Sequence, residues 1–205
     1  MIDVKKLNVD LLTISAHKIN GPKGVSALFI KKGTNIDPLI DGGGQEKFHR
    51  AGTENVAGIV GFGTAAELTI KNISKKRNYL EELRELTIEG ITKNIPDTIV
   101  NGDRIKRLPG NVNVCFKYIE GESILLLLDQ LGICASSGSA CTSGSLEPSH
   151  VLLALGLPHE IAHGSLSLSF SLENNKEEVE FLLENLPHII KRLRKLSHLY
   201  PKIKY

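Results

Sequence analysis

The segment Ser15-Ala16-His17-Lys18-Ile19-Asn20-Gly21-Pro22-Lys23-Gly24 constrains the fold of this chain more than any other. Apolar runs flank it, Asp10 to Ile14 before and Val25 to Ile30 after, each of strand length. Gly21, Pro22 and Gly24 impose a tight reversal between them. Lys18 is therefore expected at the end of a buried strand, next to His17. Burial and a neighbouring cation lower a lysine pKa and release its amine for imine chemistry. A surface turn with two basic residues accounts for the pattern equally well.

Composition narrows the class. A chain of 205 residues holds one sizeable core or two small domains. The net charge of +2, the absence of Trp and the lack of basic stripes with interleaved aromatics argue against nucleic acid as a partner. No apolar run approaches the ~18 residues of a membrane span, and no signal-peptide pattern opens the sequence. Three cysteines, an odd number, fit free thiols in a reducing, cytoplasmic setting. Their spacing at Cys115, Cys134 and Cys141 matches no zinc pattern, and no metal is expected.

After the second strand comes Gly42-Gly43-Gly44, then Gln45 through Arg50-Ala51-Gly52-Thr53-Glu54-Asn55. Three glycines let backbone amides approach an anion, and Arg50 with Thr53 would complete such a site; a plain loop is the alternative. Helical spacing runs from Val56 to about Thr92, with glycines at 58, 61 and 63 that permit close packing and a charged stretch, Lys71 to Arg84, read as a solvated face. Beyond it, 98–100, 111–116 and 165–170 read as strands, the last with Leu166, Leu168 and Phe170 inward and serines outward. Gly121 to Leu131 reads as a short helix with Leu125 to Leu128 largely buried, and Ile133 to Ala135 as a short strand or strand end. A final helix begins at Lys176. The sequence opens abruptly, with no helix or strand expected ahead of Ile2 to Leu7.

The stretch Ser136-Ser137-Gly138-Ser139-Ala140-Cys141-Thr142-Ser143-Gly144-Ser145 surrounds a thiol with small polar residues. Such a segment buries no core face, so Cys141 reads as an accessible and reactive thiol rather than a packed one. An incidental surface cysteine is the alternative. Cys115 and Cys134 lie in apolar runs and read as core.

Three of these stretches, in the same order, resemble the motifs of pyridoxal-phosphate-dependent cysteine desulfurases of the class-V aminotransferase family. Ser15 to Gly24 is similar to the cofactor-lysine segment, Gly42 to Asn55 to the segment that follows it, and Ser136 to Cys141 to the active-site cysteine loop of the long-loop subgroup. The resemblance implies an α/β fold, the C-terminal part of the aspartate-aminotransferase-type architecture. Residues 1–66 would be the end of the large cofactor-binding domain, and 67–205 a connecting helix and a small α+β domain. It also implies roles. Lys18 would hold pyridoxal 5'-phosphate and shuttle a proton at the substrate α-carbon. His17 and Ser15 would flank the cofactor, and Thr53 would reach the phosphate in the neighbouring subunit of a homodimer. Cys141 would take sulfur from L-cysteine as a persulfide and pass it to an acceptor or iron–sulfur scaffold protein, leaving L-alanine.

Two departures accompany the resemblance. The family's ring-stacking and ring-nitrogen partners lie well before the lysine, and only 17 residues precede Lys18. The chain is therefore expected to be a C-terminal portion, truncated or completed by a separate N-terminal half chain. The family also places a carboxylate-binding arginine where Ser167 stands, and a serine makes no bidentate ion pair. A non-catalytic remnant, or a dimerisation or acceptor-docking module, is thus the alternative to an active desulfurase. A lyase acting on selenocysteine or cystine is a third reading.

Overall fold

The computed structural model describes residues 2–71, 73–138 and 147–201. It divides into two compact units, Met1–Ile73 and Ser74–Tyr205.

The first unit opens with a single helical turn, α1 (Val4–Leu7). Asp3 makes it possible, because its carboxylate accepts from the Lys5 and Lys6 amides and satisfies two orphan donors. β1 (Leu11–Ser15) and β2 (Ser26–Ile30) then pair antiparallel, with Leu11 opposite Ile30 and Ser15 opposite Ser26. The reversal between them holds a 3-10 turn, Ala16–Ile19, closed by Asn20 in the left-handed region at φ 62°. The strands were expected to be buried. They are not: Leu11, Ile14 and Leu28 are all exposed, and around the turn only Ala16 and Val25 are buried. A two-stranded ribbon buries only what another element covers, and the cover here falls on the turn.

That cover is α2 (Val56–Ile70), whose N-cap Asn55 accepts from the Gly58 amide at 3.1 Å. Its small residues lie against the turn. A β-carbon on Gly61 would stand 2.6 Å from Pro22 Cγ, and one on Gly21 would stand 3.2 Å from Ala65 Cβ. Gly61 of this helix thus admits the Gly21-Pro22 segment at a distance no larger residue allows. The helical stretch expected from Val56 to Thr92 is two helices, because Lys71 adopts an extended conformation (ψ 117°) and ends α2.

The second unit holds the hydrophobic core. α3 (Ile73–Asn94) leads to β3 (Thr98–Val100), β4 (Asn111–Phe116), α4 (Gly121–Asp129), α5 (His150–Ala154), α6 (His159–Ala162), β5 (Ser165–Ser169) and α7 (Lys176–Leu196). The strands form an antiparallel sheet in the order β3-β4-β5. Alternation along β4 sends Val112, Val114 and Phe116 to one face, where they meet Ile88, Ile91, Ile124, Leu128, Leu166, Leu186 and Ile190. Each large aliphatic residue buried this way contributes about 1.5–3 kcal/mol. The opposite face is smaller: Cys115 packs with Leu152 and Ala162 beneath α5 and α6.

Several burial expectations change here. α4 buries Ile124 and Leu128 but leaves Leu126 exposed, as helical geometry requires of adjacent leucines. Arg84, expected on a solvated face, is buried. Residues 133–135 form no strand; a lone bridge joins Ser136 to Ser167 instead. Cys134, read as core, is exposed, whereas Cys115 is buried. Ser165 is buried rather than outward, since its hydroxyl accepts from the Gly138 amide at 3.0 Å.

Candidate active site

In the first unit the chain sets three of the sequence-identified residues side by side. Ser15 ends β1, and His17 and Lys18 stand on the 3-10 turn that follows. Ala16 anchors this turn: it is fully buried, its amide donates to the Val25 carbonyl at 3.1 Å, and its carbonyl accepts from Gly21 at 2.9 Å. The backbone below Lys18 is thus fixed at both ends and backed by α2, while the Lys18 and His17 side chains are exposed. Among the described residues neither has a hydrogen-bond or ion-pair partner. The burial expected around the lysine is not supplied by these residues. What the geometry offers is a primary amine on a rigid backbone, suited to covalent capture of an aldehyde.

Thr53 lies in the same unit, exposed on the loop that enters α2. That loop is folded on itself: Ala51 donates to the Ile40 carbonyl, and the Gly52 amide donates to Gln45 Oε1 at 3.3 Å. Glu46, Lys47 and Phe48 all have positive φ, a sharp bend that periodicity does not reveal. Arg50 and Thr53, proposed from sequence as anion ligands, are both exposed on this loop.

In the second unit, Cys141 lies outside the described residues; the residues leading to it do not. Ser136 and Ser167 exchange two backbone hydrogen bonds, at 3.1 and 2.7 Å. Gly138 is held to Ser165. The polypeptide entering the cysteine segment is therefore attached to β5 beside Ser167, the position where an arginine was expected. Ser167 also sits opposite Asn113 of β4. Asn113 belongs to a buried polar group missed in the sequence: Asn101 Nδ2 donates to Asn113 Oδ1 at 2.6 Å and to Cys115 Sγ at 3.1 Å. Burial pushes the Cys115 thiol up, against the opposing Asn101 hydrogen bond, so this cysteine is kept as a thiol. The alternation of Asn111-Val112-Asn113-Val114 was the available signal, since two asparagines on one strand face need partners.

Comparison with known proteins adds to this geometry. The family profile described as Aminotransferase class-V matches residues 1–182. A protein named cysteine desulfurase IscS from Methanosarcina thermophila is 58% identical over 201 residues, covering 98% of this chain and 50% of the relative. One of the same name from Clostridium botulinum is 55% identical, covering 97% and 51%. A solved NifS-like protein superposes with a TM-score of 0.82 at 35% identity, over 94% of this chain and 49% of that one. The NifS-like protein from Rickettsia africae gives 0.83 at 35% identity, over 93% and 50%. The chain spans about half the length of the relatives it matches, and its α/β units share the fold of the NifS-like proteins. This chain belongs to the class-V aminotransferase family.

Proposed function

We propose that the chain is a module of a cysteine desulfurase, using pyridoxal 5'-phosphate to convert L-cysteine to L-alanine and to collect the sulfur on Cys141. The observation that carries the reading is the Lys18 turn: an exposed amine on backbone hydrogen-bonded to Val25 and packed against α2, in a chain whose relatives bear the desulfurase name. These residues fit one side of the cofactor. Lys18 would hold its aldehyde carbon, Ser15 and His17 would flank it, and Thr53 would meet the phosphate of a second subunit in a homodimer. When bound, the cofactor supplies an electron sink for the substrate carbanion.

The chain's own residues do the rest. The Lys18 amine moves the proton at the substrate α-carbon, and the pinned turn fixes the backbone from which that side chain reaches. The Cys141 thiolate attacks the substrate sulfur: an S–S bond forms, the carbon–sulfur bond breaks, and the carbon product, once protonated, leaves as alanine. The persulfide then passes to an acceptor thiol, such as that of an iron–sulfur scaffold protein, in the cytoplasm. Among the described residues no helix is long and apolar enough to cross a membrane.

The test is to add pyridoxal phosphate to the purified chain, reduce with borohydride and map the labelled peptide. Label concentrated on Lys18 is expected, with no imine absorbance in Lys18→Ala; label scattered over surface lysines overturns the assignment. A second reading, a non-catalytic docking module, draws on the exposure of Lys18 and His17 and on Ser167. It expects cofactor capture without alanine production, even when a polypeptide carrying the other half of the fold is supplied.

A further inference from the structure

Within the second unit, α3 and the turn between β3 and β4 carry three guanidiniums that none of the roles above uses. Glu85 bridges two of them: Oε1 accepts from Arg84 Nε at 2.7 Å and Oε2 from Arg104 Nη2 at 2.6 Å. Arg107 Nη2 donates to the Asn101 carbonyl at 2.6 Å. Burial pushes the Arg107 guanidinium down, and the charges of Arg84 and Arg104 act in the same direction. Asp103, the other nearby carboxylate, is already bonded to the amides of Ile105 and Lys106.

The group is short of acceptors. Arg84 is 6% exposed, and its buried Nη1 has no partner. Arg107 Nε and Nη1 are likewise buried and unpartnered. Asn101 Oδ1 is buried without a donor, so the spare Arg107 hydrogens are not directed to it. A buried charged donor left unsatisfied is costly. Three such nitrogens from two guanidiniums, with one carboxylate shared between neighbours, describe a site lacking a negative ligand. A tetrahedral oxyanion fits that deficit, because it offers several acceptor atoms in different directions to separate guanidiniums.

We propose that Arg84, Arg104 and Arg107 bind a small oxyanion of the phosphate or sulfate class. The entry is on the Arg104–Glu85 side, where both side chains are partly exposed, and opening that pair admits the ion to the inner nitrogens. The site owes nothing to the Lys18 chemistry and stands if the desulfurase reading falls.

The experiment is a titration of the whole chain with inorganic phosphate at constant ionic strength, following the arginine Nε–H resonances and the unfolding temperature. Saturable shifts at Arg84 and Arg107 and a rise in unfolding temperature are expected. Arg107→Gln and Arg104→Gln, changes at partly exposed positions, are expected to keep the fold and to weaken binding about tenfold or more. A parallel titration with glycerol 2-phosphate distinguishes sources. Binding of inorganic phosphate alone assigns a free ion, and equal binding of the ester assigns a phosphate carried on a larger molecule. Shifts that stay linear with concentration, or an undiminished response in Arg107→Gln, overturn the proposal.

Discussion

At the scale of single residues, the proposed function rests on Lys18, Cys141 and Ser167. Cys141→Ser is expected to leave cofactor capture intact and to abolish persulfide formation, read by mass spectrometry after incubation with cysteine. Ser167→Arg is expected to tighten cysteine binding by roughly 1.5–3 kcal/mol, because a guanidinium there adds a charge-assisted pair to the substrate carboxylate. Spectral titration of the cofactor-loaded chain measures this, and an unchanged affinity would remove Ser167 from the carboxylate site. The family was legible from the Lys18 turn and the polar cysteine stretch because both pair a reactive residue with an unusual local composition. The environment of Lys18 was not legible. Its flanking strands have the apolar content of buried ones, yet burial depends on what covers them.

At the scale of elements, two helices make separable predictions. α2 holds the Lys18 turn through absent side chains. Gly61→Ala places a carbon 2.6 Å from Pro22 Cγ, and such overpacking typically costs about 1–3 kcal/mol. It is expected to slow cofactor capture at Lys18 while leaving the second unit's hydrogen exchange unaltered. The contact was only half legible: the glycines signalled close approach but not the partner. α3 carries Glu85, on which burial acts upward while hydrogen bonds from Arg84 and Arg104, with their charges, outweigh it and hold the carboxyl below its ordinary value of 4.5. A carboxyl lowered on folding stabilises above its unfolded pKa and loses that contribution as pH falls through the folded one. The stability gap between the wild type and Glu85→Gln is therefore expected to be complete above about pH 4.5 and to close at lower pH. Urea unfolding at a series of pH values checks it; a gap independent of pH refutes it. The run from Lys71 to Arg84 hid this role, because charge density in a sequence does not show which charge turns inward.

At the scale of the whole molecule, stability is unevenly distributed. The main core cluster is built from residues of the second unit, whereas Leu39, Phe48, Val56, Val60 and Leu68 of the first are exposed. Apolar area left in water contributes nothing to folding and favours association. Native-state hydrogen exchange is expected to protect β4, β5 and α7 far more than β1 and β2. Uniform protection would show that the first unit is held by something other than its own packing. The second unit was the more legible, since α7 announces itself through its apolar spacing and its Asn175–Glu178 capping box.

The pair of hydrogen bonds between Ser136 and Ser167, with the Gly138 contact to Ser165, has a mechanical consequence. They tie the described end of that segment, Ser136 to Gly138, to β5. On the proposed reading, sulfur transfer either leaves this clasp closed or opens it, and the exchange rates of the Ser136 and Ser167 amides during turnover tell the two apart.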